Sequence, residues 1–128
     1  MRKLTAVVLI VTMFVITSCG SSRSAGGEGT VYDKKAVACY YADKFNGRKT
    51  ASGEKFSNSK YTAAHKKLAF GTKVRVTNLK NNKSVNVTIN DRGPFSRGRD
   101  IDLSKKAFME ITDNKNHGEI TVKIEIIK

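Results

Sequence analysis

Ser84-Val85-Asn86-Val87-Thr88-Ile89-Asn90-Asp91-Arg92-Gly93-Pro94-Phe95 alternates apolar and polar residues as far as Asn90 and then breaks off. Val85, Val87 and Ile89 fall on one face and Ser84, Asn86, Thr88 and Asn90 on the other, the period of a half-buried strand. Continued by one step, that parity puts Asp91 on the apolar face. Proline cannot donate to a strand ladder and glycine frees the backbone, so Gly93-Pro94 ends the strand just beyond the acid. A carboxyl held there is expected to be partly desolvated, which raises its pKa toward general-acid range.

The neighbouring segments are also mostly strands. Val74 and Val76 share a face, and Leu79-Lys80-Asn81-Asn82-Lys83 makes a hairpin connection whose asparagines tolerate positive φ. Ile120, Val122, Ile124 and Ile126 alternate against Thr121, Lys123, Glu125 and Ile127. Val37 to Tyr41 is short and β-prone, Thr62-Ala63-Ala64-His65 fits either type, and Asp43 to Ser59 is rich in loop residues. Ser104 is a fitting N-cap for a short helix with Ala107, Phe108 and Ile111 inward. A small sheet of five or six strands that closes on itself is the economical arrangement, since closure removes exposed edges.

The first residues belong to another class. Arg2 and Lys3 precede an apolar run from Leu4 to Ile16, too short to span a bilayer comfortably and of the length of a signal h-region. Ile16-Thr17-Ser18-Cys19 follows it and resembles a bacterial lipobox, so Cys19 is expected to be diacylated after cleavage. Residues 1–18 are then a lipoprotein signal, 19–32 a lipidated N-terminus and Gly/Ser-rich linker, and 33–128 one globular domain. Two acyl chains hold a protein on a membrane without a span, and Gly20 after the cysteine fits an outer-membrane destination where the cell has one. With Cys19 lipidated, Cys39 has no disulfide partner and reads as a buried small hydrophobe. The chain has 24 Lys and Arg against 11 Asp and Glu, a formal charge of +13. Such a charge favours polyanions, here cell-wall polymer or membrane surface; no helix-turn-helix or aromatic-interleaved basic stripe points to nucleic acid. His65, His117 and Cys39 lack metal-ligand spacing, so neither a metal nor a cofactor is expected. The domain reads as a monomer.

Four islands of sequence combine. Thr50-Ala51-Ser52-Gly53-Glu54, Thr62-Ala63-Ala64-His65, Leu68 through Asn78, and Asn90-Asp91-Arg92-Gly93-Pro94-Phe95 through Ser104 together resemble the rare lipoprotein A family of septal-ring lytic transglycosylases. The resemblance covers Val37 to Lys128 and includes the lipobox. It implies a small, mainly β, six-stranded double-psi β-barrel with one or two short helices, the fold shared with barwin and the expansin catalytic-like domain. It places the family's acidic residue on Asp91, its Ser-Gly-Glu glutamate on Glu54 and its Ala-Ala-His histidine on His65. Many members carry a C-terminal repeat domain that binds peptide-stripped glycan; this sequence stops with the barrel segment, so targeting by that route is not expected.

The implied reaction cleaves the bond between N-acetylmuramic acid and N-acetylglucosamine in peptidoglycan, with the substrate's C6 hydroxyl as nucleophile and a 1,6-anhydro end as product. One acid/base can serve both halves of it, whereas hydrolases of the usual kind need two carboxylates. Asp91 is the expected acid/base, Glu54 a proton partner or sugar ligand, and His65 a group that orients a carboxylate. Arg97 and Arg99 suit carboxylates on the substrate, and Tyr41 a sugar face; Arg92 is expected to brace the loop against Asp100 or Asp102. Taken singly, each of these has a plainer reading: a turn aspartate, a solvated glutamate, a structural histidine. The alternative functions are a non-catalytic, expansin-like glycan-binding or wall-loosening module and a hydrolase using Glu54 with Asp91.

Overall fold

Ser84–Asp91 is a strand, β4, in a computed structural model that describes residues 29–127. Val85, Val87 and Ile89 are buried on it as their alternation requires. The expected signal at 1–18, Cys19 and most of the 19–32 linker lie outside the described residues. The remaining strands are β1 (Thr30–Tyr40), β2 (Thr62–His65), β3 (Lys73–Asn78), β5 (Ile101–Leu103) and β6 (Ile120–Ile127), and one helix, α1, spans Lys105–Ile111. They close into a barrel in the order β1-β5-β2-β4-β3-β6.

The pairing is mixed. β1 runs parallel to β5 and β2 parallel to β4, while β2·β5, β3·β4, β3·β6 and β1·β6 are antiparallel. Every strand therefore has two neighbours, which leaves no free edge to template aggregation. Ala38, Ala63, Val74, Val76, Val87, Ile89, Ile101, Leu103, Val122 and Ile124 fill the interior. Alpha-1 closes one side with Ala107, Phe108 and Ile111, and Tyr40 packs on the Phe108 ring at 4.7 Å between centroids. Ser104 caps it as expected, its hydroxyl accepting the Ala107 N–H at 3.3 Å.

Three boundaries differ from the sequence reading. Beta-1 begins at Thr30, inside the span assigned to the linker: Thr30 pairs with Ile126 and Val31 with Glu125. Register shifts between Val31 and Asp33 and between Asp33 and Ala36 break the period of two, so Val31-Tyr32-Asp33-Lys34-Lys35 carries no strand signature. Ile127, expected outward, is buried at 8% exposure, under the segment around Gly29. The loop 46–59 contains a small hairpin, in which Thr50 donates to the Glu54 carbonyl and Phe56 to the Arg48 carbonyl, with Gly53 at φ 90° near its tip.

Candidate active site

A further difference sets the face on which Asp91 stands. Ala63 pairs with Ile89 but Ala64 with Asp91, so β4 carries a bulge at Asn90 and the parity that put Asp91 on the apolar face is reset there. The result is a row across the outer wall of the barrel. Cys39 on β1 pairs with Asp102 on β5, Asp102 with Ala64 on β2, and Ala64 with Asp91 on β4. Their sequence neighbours Ala38, Ile101, Leu103 and Ala63 point into the core, as does Ile89 on the other side of the bulge. Two carboxylates thus stand two strand spacings apart, about 10 Å between Cα atoms, with only a methyl group between them.

Asp91 is fully engaged as an acceptor. Its Oδ1 takes the N–H groups of Ala51 at 2.8 Å and Arg92 at 2.9 Å, and its Oδ2 the Tyr41 hydroxyl at 2.6 Å. The hairpin 47–56 exists, in effect, to reach it: Ala51 meets the side chain while Ser52 N–H binds the Asn90 carbonyl at 3.2 Å. Tyr41 was expected to offer a ring to sugar. Instead its ring lies 4.1 Å from that of Phe56 and 5.9 Å from that of Phe45, and its hydroxyl holds Asp91. Burial first, and then the Asp91 carboxylate, push the Tyr41 phenol up, which keeps it a donor.

Asp102 was missed as a site residue and named only as a brace for Arg92. Burial, and after it the like charge of Asp91, hold its carboxyl above the ordinary carboxylate range, against the Cys39 thiol and the Arg99 guanidinium, which act the other way. Its signal in the sequence was an acid between two aliphatics, Ile101-Asp102-Leu103, in a run too short to establish a period. Cys39, read as a buried hydrophobe, is buried and free but donates its thiol to Asp102 Oδ1.

The other expected residues are distributed around this row. Glu54 is exposed on the hairpin and its Oε2 accepts Asn90 Nδ2 at 3.4 Å. His65 is one residue past Ala64 and on the opposite face. Its Nδ1 accepts the Lys67 and Leu68 N–H groups at 3.0 and 3.1 Å, its ring meets Tyr32 edge-on, and burial lowers its pKa. Among the described residues it makes no hydrogen bond to a carboxylate, because strand alternation turns it away from the row. Arg92 braces, but against carbonyls: Nη1 binds those of Leu68 at 2.7 Å and His65 at 3.3 Å while the guanidinium lies over Phe70. Asp100 takes the Val37 N–H instead. Arg99 pairs with Glu119 at 2.7 Å and, with Cys39, Tyr41, Asp43 and Lys105, lines a cleft of about 430 Å³ continuous with the row; Arg97 is exposed on the loop outside it. Asn58 has no chemistry but ties the site together, giving its amide to the Tyr41 carbonyl and Asp43 and accepting the Lys105 N–H. Among the described residues no cluster of three His, Cys, Asp or Glu could hold a metal.

A closed mixed barrel with two acids on one outer row defines a class: a small barrel domain with paired carboxyl groups on its wall. The family follows from comparison. Residues 26–124 match the family described as lytic transglycolase, and the chain belongs to it. It is similar to the endolytic peptidoglycan transglycosylase RlpA of Pasteurella multocida, 47% identical over 98 residues, 77% of this chain and 33% of that protein. The probable endolytic peptidoglycan transglycosylase RlpA of Treponema pallidum is 52% identical over 96 residues, 75% of this chain and 30% of that one. The chain spans about a third of the length of these curated relatives. Among solved structures it is similar to the Streptomyces papain inhibitor, with TM-score 0.60 and 21% identity over 74% of this chain and 96% of that one. An apo Clavibacter michiganensis expansin gives TM-score 0.59 and 20% identity over 74% and 50%. These likenesses carry the fold, the expected double-psi β-barrel.

Proposed function

We propose that the chain is a lytic transglycosylase that cleaves the bond between N-acetylmuramic acid and N-acetylglucosamine in peptidoglycan and leaves 1,6-anhydromuramyl ends. The observation that carries this reading is the row Asp91-Ala64-Asp102, which brings two acids to one outer face of the barrel beside the cleft lined by Cys39, Tyr41 and Arg99. In this reading the acid/base is Asp102 and not Asp91, the residue to which the resemblance assigns that role: Asp102, the carboxyl that burial holds high, protonates the leaving glycosidic oxygen and then takes the proton of the attacking C6 hydroxyl. Asp91, fixed by Tyr41, Ala51 and Arg92, faces the positive charge that develops on the sugar. Glu54 holds the substrate at the rim, and His65 acts one step back by ordering the loop whose carbonyls seat Arg92. Arg99 and Arg97 receive lactyl or peptide carboxylates beside the cleft. The similarity to peptidoglycan transglycosylases supports the substrate class. In the same reading Cys19 carries the lipid, the domain works as a monomer on the periplasmic face of an outer membrane where the cell has one, and it requires no cofactor.

Incubating purified sacculi with the chain and analysing the fragments by mass spectrometry tests this. Anhydromuramyl ends are expected, lost in Asp102→Asn and strongly reduced in Asp91→Asn. New reducing ends would make the protein a hydrolase, and binding without new ends would make it an expansin-like module.

A further inference from the structure

Cys39 remains unexplained by this mechanism. It is only 3% exposed, yet its side chain turns outward onto the row of the two acids and not into the core. Its Sγ has two acceptors within reach, Asp102 Oδ1 and, at 3.6 Å, the Ile101 carbonyl. Asp102 Oδ2 has no hydrogen-bond partner among the described residues, so the two carboxyl oxygens are not equivalent. We propose that Cys39 is a positioning residue for Asp102: its S–H occupies Oδ1 and thereby leaves Oδ2 as the oxygen that carries the transferable proton.

The reasoning is local and rests on the reading of Asp102 as the acid. A hydrogen-bond donor favours the ionised form of a carboxylate, and it can only be offered to an oxygen that does not itself bear the proton. The thiol keeps its proton throughout, because burial and then the Asp102 bond push Cys39 well above its ordinary range. When Asp102 is neutral the attraction of the charged acceptor is gone and the Ile101 carbonyl competes, so the thiol follows the charge state of its partner. The groups facing Asp102 from each packed element are Cys39 on β1, Tyr41 just past its end, Arg99 in the loop before β5 and Asp91 on β4; Glu119 lies beyond Arg99, and β2 presents only Ala64. Arg99 and Asp91 act in opposite directions, which leaves the thiol as the one neutral donor on the carboxyl.

A serine and an alanine at this position separate positioning from packing. Both shrink the side chain, but the hydroxyl is a stronger donor than the thiol and the methyl is none. In the full chain, without substrate, the Asp102 carboxyl is followed through its titration by carbon NMR, assigned from the signal missing in Asp102→Asn. The midpoint is expected to move down in Cys39→Ser and up in Cys39→Ala, and the alkaline limb of sacculus cleavage to move the same way in each. Movement of both variants in one direction, or of neither, overturns the proposal. Should the opposite shifts occur in a chain that forms no anhydro ends at all, the positioning role stands and the glycan-cleaving reading falls.

Discussion

Asp102 and Tyr41 are where single atoms decide the outcome. Asp102 is held above its ordinary value of 3.8 in the folded chain, chiefly by burial, so the fold binds that proton more tightly than the unfolded chain does. The stabilisation is complete below about pH 3.8 and is lost as pH rises through the folded value. Asp102→Asn carries no such charge. It should therefore melt higher than the parent at neutral pH while being inactive, with the gap closing on acidification; scanning calorimetry across pH checks it. Tyr41→Phe leaves the packing on Phe56 and removes one hydrogen bond to Asp91. Cleavage should fall on the order of tenfold to a hundredfold, the usual effect of losing one bond to a charged group, with little loss of stability. Asp91 itself was legible in the sequence because the Gly93-Pro94 break marks it, and its place at a strand end holds. Its face was not, because a bulge depends on the partner strand, which local alternation does not contain.

The elements that hold the row are a hairpin, a strand end and a helix start, joined by Asn58. That side chain accepts the Lys105 N–H at 2.9 Å and donates to the Tyr41 carbonyl at 3.2 Å, so it links α1, the end of β1 and the loop 46–59. Asn58→Ala leaves these buried groups unpaired and should cost about 1–3 kcal/mol, read as a lower urea midpoint. Activity should drop with it at temperatures where the fold persists, since Tyr41 is displaced. Composition marked this region only as loop, and correctly so at the level of propensity. Its internal order comes from hydrogen bonds to β4 and α1, which are distant in sequence. Strands with clean alternation, β3, β4 and the body of β6, were readable, as was the end of β1 from Val37; the first part of β1 was not, because two register shifts erase its period.

At the scale of the molecule, closure is the organising fact. The barrel order β1-β5-β2-β4-β3-β6 places short β5 and β2 between longer strands, and these two carry Asp102 and Ala64. No periodicity in three or four residues could announce them; the strand count and the cost of open edges pointed to a closed sheet, and the resemblance of several motifs in one order to the double-psi barrel. The same closure pairs Thr30 with Ile126, so the two ends of the described chain lie side by side at the far end of β1 from Cys39. Nine residue steps of strand separate Thr30 from Cys39, roughly 30 Å when extended. Residues 29–127 can accordingly be rejoined there by a short glycine–serine link and opened in the exposed turn at Lys115-Asn116. Such a permutant should fold and keep its activity, as circular dichroism and the sacculus assay would register. To an engineer the domain is thus a ring whose outer face can be carried on a new pair of ends.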